Sequence, residues 1–143
     1  MAFAKILIAV DERPIAEHAA EVGIDLARAL KAEIALVTVV ETSIDRAASG
    51  GMADELAAEA VEAAGRVLAR IRERLSLPAS TPQFVEKGVP SVEIVRAATD
   101  WGADLIVVGS HGGGRIERAL VGTVASGVLH HATCPVLVVG AKR

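Results

Sequence analysis

The sequence predicts an α/β protein in which a five-stranded parallel sheet is doubly wound and covered by helices on both faces, in three layers. Three observations predict it. Five short apolar runs recur along the 143 residues, and four of them are apolar nearly throughout and rich in β-branched side chains. That is how a strand buried on both faces reads. Segments whose apolar residues recur every three or four positions lie between the runs, as amphipathic helices require. The alternation of strand and helix, ending on a strand, makes the strands parallel. Right-handed crossovers then leave a doubly wound sheet, with 3-2-1-4-5 as the expected strand order.

The first strand is "AKILIAV" (4–10). A first helix follows, with Ile15, Ala19, Val22, Leu26 and Leu30 on one face and Pro14 suited to its first turn. The second strand is "AEIALVTVV" (32–40), and "ETSIDRAASGGM" (41–52), with its Ser-Gly-Gly, is expected to be a loose loop. Leu56, Ala60, Ala64, Val67, Ile71 and Leu75 form the apolar face of a second helix, opposite Glu59, Glu62, Arg66, Arg70 and Glu73. The third run, "PQFVEK" (82–87), carries Gln83, Glu86 and Lys87 and reads as an edge strand. A third helix over 90–101 is expected to turn Val92, Val95 and Thr99 inward. "DLIVVG" (104–109) is the fourth strand. A helix over 121–131 follows, with Val121, Val124, Val128 and His131 three or four apart, and "PVLVVG" (135–140) is the last strand. With no internal repeat or low-complexity segment, residues 1–143 read as a single domain.

Composition narrows the function. The formal net charge is −3, without a basic stripe, and one Trp, two Phe and no Tyr offer few stacking platforms, so nucleic acid is not an expected partner. One cysteine, Cys134, excludes an intramolecular disulfide and a multi-cysteine metal cluster; beside Pro135 it reads as a small buried thiol. No apolar run approaches the ~20 residues of a bilayer-spanning helix, and the N-terminus lacks the pattern of a signal peptide. A cytoplasmic protein without a membrane partner is expected.

Chemistry in an open α/β sheet belongs at the carboxyl ends of the strands, where strand order reverses. Here that point lies between strands one and four, so Asp11 would face the glycine cluster that begins at Gly109. Gly109 and Gly114 have P-loop spacing, but Arg115-Ile116 replaces the required Lys and Ser/Thr. No G-x-G-x-x-G follows the first strand, which sets aside an ordinary dinucleotide site. What stands is G-x2-G-x9-G-[ST], met by Gly109, Gly112, Gly122 and Thr123, together with Asp11 after strand one and "HHATCPVLVVGAK" at the end of the chain. Gly109 and Gly112 would permit close approach to a ligand and positive φ. Gly122 and Thr123, near a helix start, would offer amide donors to anionic oxygens, or Thr123 could cap the helix.

On these residues, from Lys5 to Gly140, the chain resembles the universal stress protein family, specifically its ATP-binding branch. The resemblance implies a Rossmann-like adenine-nucleotide-binding fold, with ATP or another adenine nucleotide as ligand and Mg²⁺ as its optional companion. By the same resemblance, Asp11 would hold the ribose or adenine side, and the backbone of Ala9, Val10 and Val39 would line the adenine. Gly109 and Gly112 would let the ribose and phosphates pass, with His111 beside them, and Gly122, Thr123 and Val124 would bind the phosphates. The last strand, 135–139, would pair with its mate in a homodimer.

Blander roles stand beside these. Asp11 could cap the first helix, His111 and Arg115 could be solvated loop residues, and His130 and His131 suit the dipole at a helix end. No nucleophile sits beside a general base, so the sequence points to a binder and not a fast catalyst. That makes the expected function a nucleotide-responsive regulatory or protective module of the stress response. The competing readings are a dimeric interaction module without nucleotide and a slow ATPase. A phosphoacceptor is disfavoured because Glu86-Lys87-Gly88 stands where its aspartate should end strand three.

Overall fold

Residues 2–41, 51–110 and 122–141 are described by the computed structural model of the chain. Its strands are β1 (Lys5–Ala9), β2 (Glu33–Glu41), β3 (Gln83–Gly88), β4 (Leu105–Gly109) and β5 (Val136–Val139). Its helices are α1 (Pro14–Leu30), α2 (Gly51–Arg74), α3 (Pro90–Trp101) and α4 (Thr123–His131). The strand order is β3-β2-β1-β4-β5 with every neighbouring pair parallel, as expected from the sequence. β3 is an edge strand, as its polar residues foretell, and β5 forms the other edge.

The period-2 geometry of a strand explains why the central runs are apolar throughout. In β1, Ile6 and Ile8 join the core under α1 and α2, while Leu7 joins the core under α3 and α4. β4 repeats this, with Leu105 and Val107 on the first face and Ile106 and Val108 on the second. Both faces are dry, so neither alternate set can be polar.

α1 begins at Pro14, in the N1 position that its missing N–H makes harmless. Its buried side chains are mostly small: Ile15, Ala16, Ala19, Ala20, Ile24 and Ala27, with Gly23 among them. A Cβ at Gly23 would lie 2.9 Å from Ile8 Cδ1, so α1 rests on the sheet at glycine distance. Leu30, expected on the apolar face, is exposed in the last turn.

α2 starts at Gly51, so the loop expected over 41–52 gives Glu41 to β2 and residues 51–52 to the helix; 42–50 lie outside the described residues. Val67, Leu68 and Ile71 are buried, whereas Leu56 is exposed.

α3 corrects the sequence reading. Its buried residues are Glu93, Ile94, Ala97 and Ala98, while Val92 and Thr99 are exposed and Val95 is half-buried. Two faces of this helix satisfy a three-and-four spacing, and close packing against the sheet and α4 selects the one with alanines. Thr99 instead turns its hydroxyl back to donate to Val95 O at 3.0 Å. The helix ends at Gly102, whose φ of 82° closes it in the left-handed conformation. In α4, Ala125 and Val128 are buried and Val124 is half-buried. His131 is exposed, its Nδ1 2.9 Å from Gly127 O, and not part of the inward face; Val121 lies outside the described residues.

Candidate functional site

A cavity of about 280 Å³ opens at the carboxyl ends of β1, β2 and β4, the point where strand order reverses. Its floor and walls are Ala9, Val10, Val37, Val39, Val108 and Gly109, with Ile15 and Ala16 of α1, Pro90 and Ile94 of α3 and Val124 of α4. Four polar side chains reach it: Asp11, Arg13, Thr38 and Glu41. An apolar slot with a few convergent polar groups is what small-molecule recognition requires.

Strand pairing explains the slot. β1 and β2 pair as far as Ala9↔Val37, and Val10 N–H donates to Val37 O at 2.8 Å. Leu36 N–H donates instead towards β3, to Pro82 O. Peptide groups alternate sides along a strand, so those of Val39 point the same way as those of Val37. By Val39, β1 has left the sheet. The Val39 peptide groups therefore face the cavity where a neighbouring strand would otherwise stand.

Asp11 does not cap α1. The N-cap residue is Arg13, whose own side chain makes no cap hydrogen bond to the helix. Asp11 Oδ1 accepts the Arg13 N–H at 2.8 Å, and Oδ2 accepts Arg13 Nε at 2.8 Å and lies 2.7 Å from a terminal guanidinium nitrogen. Both side chains are about two-fifths exposed, 43% for Arg13 and 41% for Asp11.

Gly109 differs from its expected conformation. Positive φ among the described glycines occurs at Gly88 and Gly102 and not at Gly109. Its missing side chain instead clears α1, since a Cβ there would meet Ile15 Cγ1 at 3.1 Å. Gly122 is the N-cap of α4, again with negative φ, and among the described residues no side chain caps the helix. The first amides of α4 thus have no intrahelical acceptor, and Ser126 N–H is the one that returns to Gly122 O, at 2.8 Å. Thr123 occupies the first helical position and is exposed, so its hydroxyl is not the cap.

Of the sequence-derived site residues, the fold brings Ala9, Val10, Asp11, Val39, Gly109 and Val124 to one cavity. Gly122 and Thr123 adjoin Val124 in the chain without lining it. His111 and Gly112 lie outside the described residues.

A scan against protein-family models matches residues 2–140 to "Universal stress protein family". The chain belongs to the universal stress protein family. Its curated relatives include universal stress protein MJ0531 of Methanocaldococcus jannaschii, 34% identical over 96% of this chain and 82% of the relative. The solved structure of MJ0577, a universal stress protein of the same organism, superposes with a TM-score of 0.80 at 28% identity, covering 100% of this chain and 99% of that one. A universal stress protein solved in complex with cAMP shares the fold at a TM-score of 0.65 and 21% identity, over 97% and 98% of the two chains.

Within this universal stress protein, sequence reasoning missed Arg13, Thr38, Glu41 and Ile94 as cavity residues. Glu41 could have been found by extending the second strand one residue past Val40, and Thr38 already lay inside that strand, one residue before Val39. Arg13 had no signal beyond its place two residues after Asp11, where a solvated arginine is the ordinary reading. Among the described residues no cluster of three or more His, Cys, Asp or Glu could hold a metal ion.

Proposed function

We propose that this chain binds an adenine nucleotide in the cavity at the ends of β1, β2 and β4 and acts as a nucleotide-responsive regulatory or protective module. The observation that carries the reading is the open edge of β2. The Val39 peptide groups, freed where β1 stops, can pair with the edge of a purine as they would with a strand, beside the apolar side chains that line the cavity. A cavity of about 280 Å³ suits the base and sugar, near the lower end of the roughly 300–1,000 Å³ of small-ligand pockets. The uncapped start of α4 at Gly122, Thr123 and Val124 supplies amide donors and a positive dipole end for the phosphates.

In this reading Asp11 faces the nucleoside, and Ala9, Val10 and Val39 line the base. Gly109, with His111 and Gly112 beyond it, belongs to the path of the phosphates. Mg²⁺ would travel with ATP, bound by phosphate oxygens more than by protein. Residues 1–143 act as one domain in the cytoplasm. β5, a half-buried apolar edge of Val136, Leu137 and Val138, pairs with a second copy.

Isothermal titration calorimetry with ATP and Mg²⁺ tests the central claim, with saturable heat and a raised melting temperature expected. No heat and no thermal shift would sink it. Sedimentation equilibrium should return twice the chain mass, and a monomer at all concentrations would remove the dimer.

A further inference from the structure

We propose that Arg13 contacts the nucleoside half of the ligand directly, and that Asp11 positions it for that contact. The inference deepens the adenine-nucleotide reading and rests on it.

Arg13 is the one basic side chain among the described residues that line the cavity. It is fixed at both ends: its backbone N–H by Asp11 Oδ1, and its guanidinium by Asp11 Oδ2 through Nε and a terminal nitrogen. An ion pair this exposed contributes little to stability. Its geometric effect is larger, because it turns a flexible side chain into a fixed plane at the cavity.

Counting donors and acceptors shows what that plane offers. A guanidinium carries five N–H groups, and two of Arg13's are engaged by Asp11. A carboxylate has about four acceptor sites, and three of Asp11's are occupied. The pair therefore presents donors beside one remaining acceptor. Its complement is a ligand group carrying an adjacent donor and acceptor. An adenosine moiety has two such groups, the amine beside a ring nitrogen on the adenine edge and the vicinal hydroxyls of the ribose.

Placement favours the nucleoside over the phosphates. Arg13 and Asp11 belong to the β1–α1 connection, and α1 covers one face of the sheet. The uncapped start of α4 serves the opposite face. A ligand with its phosphates at α4 turns its other half towards Arg13. Glu41, also on the cavity, makes this side unfavourable for phosphate.

The test is calorimetric titration of ATP, 2′-deoxy-ATP and inosine triphosphate into the wild type, Arg13→Ala and Arg13→Lys. Arg13→Ala should weaken ATP about tenfold or more, the scale of a lost charged hydrogen bond, with an unchanged melting temperature in the absence of ligand. The adenine edge is already given to the Val39 peptide groups, so the preference for ATP over inosine triphosphate should persist in Arg13→Ala; the Arg13 contact is read as a wild-type preference for ATP over the deoxy analogue. That preference should vanish in Arg13→Ala and stay lost in Arg13→Lys, which keeps the charge without the planar fork. The proposal is overturned if Arg13→Ala binds ATP as tightly as the wild type, or weakens all three ligands equally, or if Arg13→Lys restores the preference. A wild type that binds no ATP would overturn the nucleotide reading itself, a different result from an unaffected Arg13→Ala.

Discussion

Cys134 shows how a residue's surroundings decide its chemistry. It is half-buried beside the core under α3 and α4. Desolvation pushes its thiol above the ordinary value, and the Asp104 carboxylate pushes the same way, against a smaller opposing effect of its backbone hydrogen bond. The thiol is therefore protonated at neutral pH and a poor nucleophile. Iodoacetamide should alkylate it more slowly than a free cysteine, and unfolding should erase the difference. A raised folded-state pKa means the native state holds the proton more tightly than the unfolded chain does. Its stabilising contribution is complete below the ordinary thiol pKa and is lost as pH climbs through the raised value. The alkaline decline of the urea midpoint should accordingly shrink in Cys134→Ser. Of the cavity residues, Asp11 and Gly109 were marked by strand ends and glycine spacing, whereas Val39 and Val124 came only from the family resemblance. Arg13 was not legible, because nothing in a single charged residue says that its neighbour will pin it into a cavity.

Helix packing makes sharper demands than helix periodicity reveals. α3 and α4 meet where a Cβ on Gly127 would stand 2.5 Å from Ser91 Cβ. Gly127→Ala should destabilise the fold by about 1–3 kcal/mol through overpacking, and Ser91→Gly in the same chain should recover part of it. Gly65 of α2 has nothing within 4 Å of its missing Cβ. There Gly65→Ala should stabilise by about 0.5–1 kcal/mol, the helix-propensity gain. Urea unfolding of both variants checks the contrast, and equal effects would contradict it. The same close packing explains what could be read from the sequence. Strands β1, β2 and β4 were legible because their central residues are buried on both faces and nearly all of them carry the signal. The inward face of α3 was not, since Val92, Val95 and Thr99 fit a helical stripe as well as Ile94, Ala97 and Ala98 do. Alanine is a weak hydrophobic marker, and only its small size suits the contact.

At the scale of the molecule, the layered sheet separates two functions by position. The amino ends of the strands are tied together by Asp104, whose Oδ2 accepts the N–H groups of Ala4 and Lys5, each at 2.9 Å. The carboxyl ends are left open around the cavity. This division follows from the parallel topology, which puts every strand's exit on one side, and it was legible before any coordinate. What sequence could not supply was the volume left between α1, α3 and α4, because that depends on how closely small residues let the helices approach.

The buried core is wholly aliphatic among the described residues, and the chain's single tryptophan, Trp101, sits outside it. Lys5 Nζ lies 5.1 Å from its ring centre and donates to its carbonyl at 3.2 Å, at the tied end of the sheet. Nature has thus placed one fluorophore at the pole opposite the cavity, in a protein with no tyrosine to compete with it. Its emission should stay silent while a nucleotide loads and change when the layers come apart. Near-ultraviolet absorbance works the other way: so little of it is the protein's own that a purine carried through purification would dominate the spectrum.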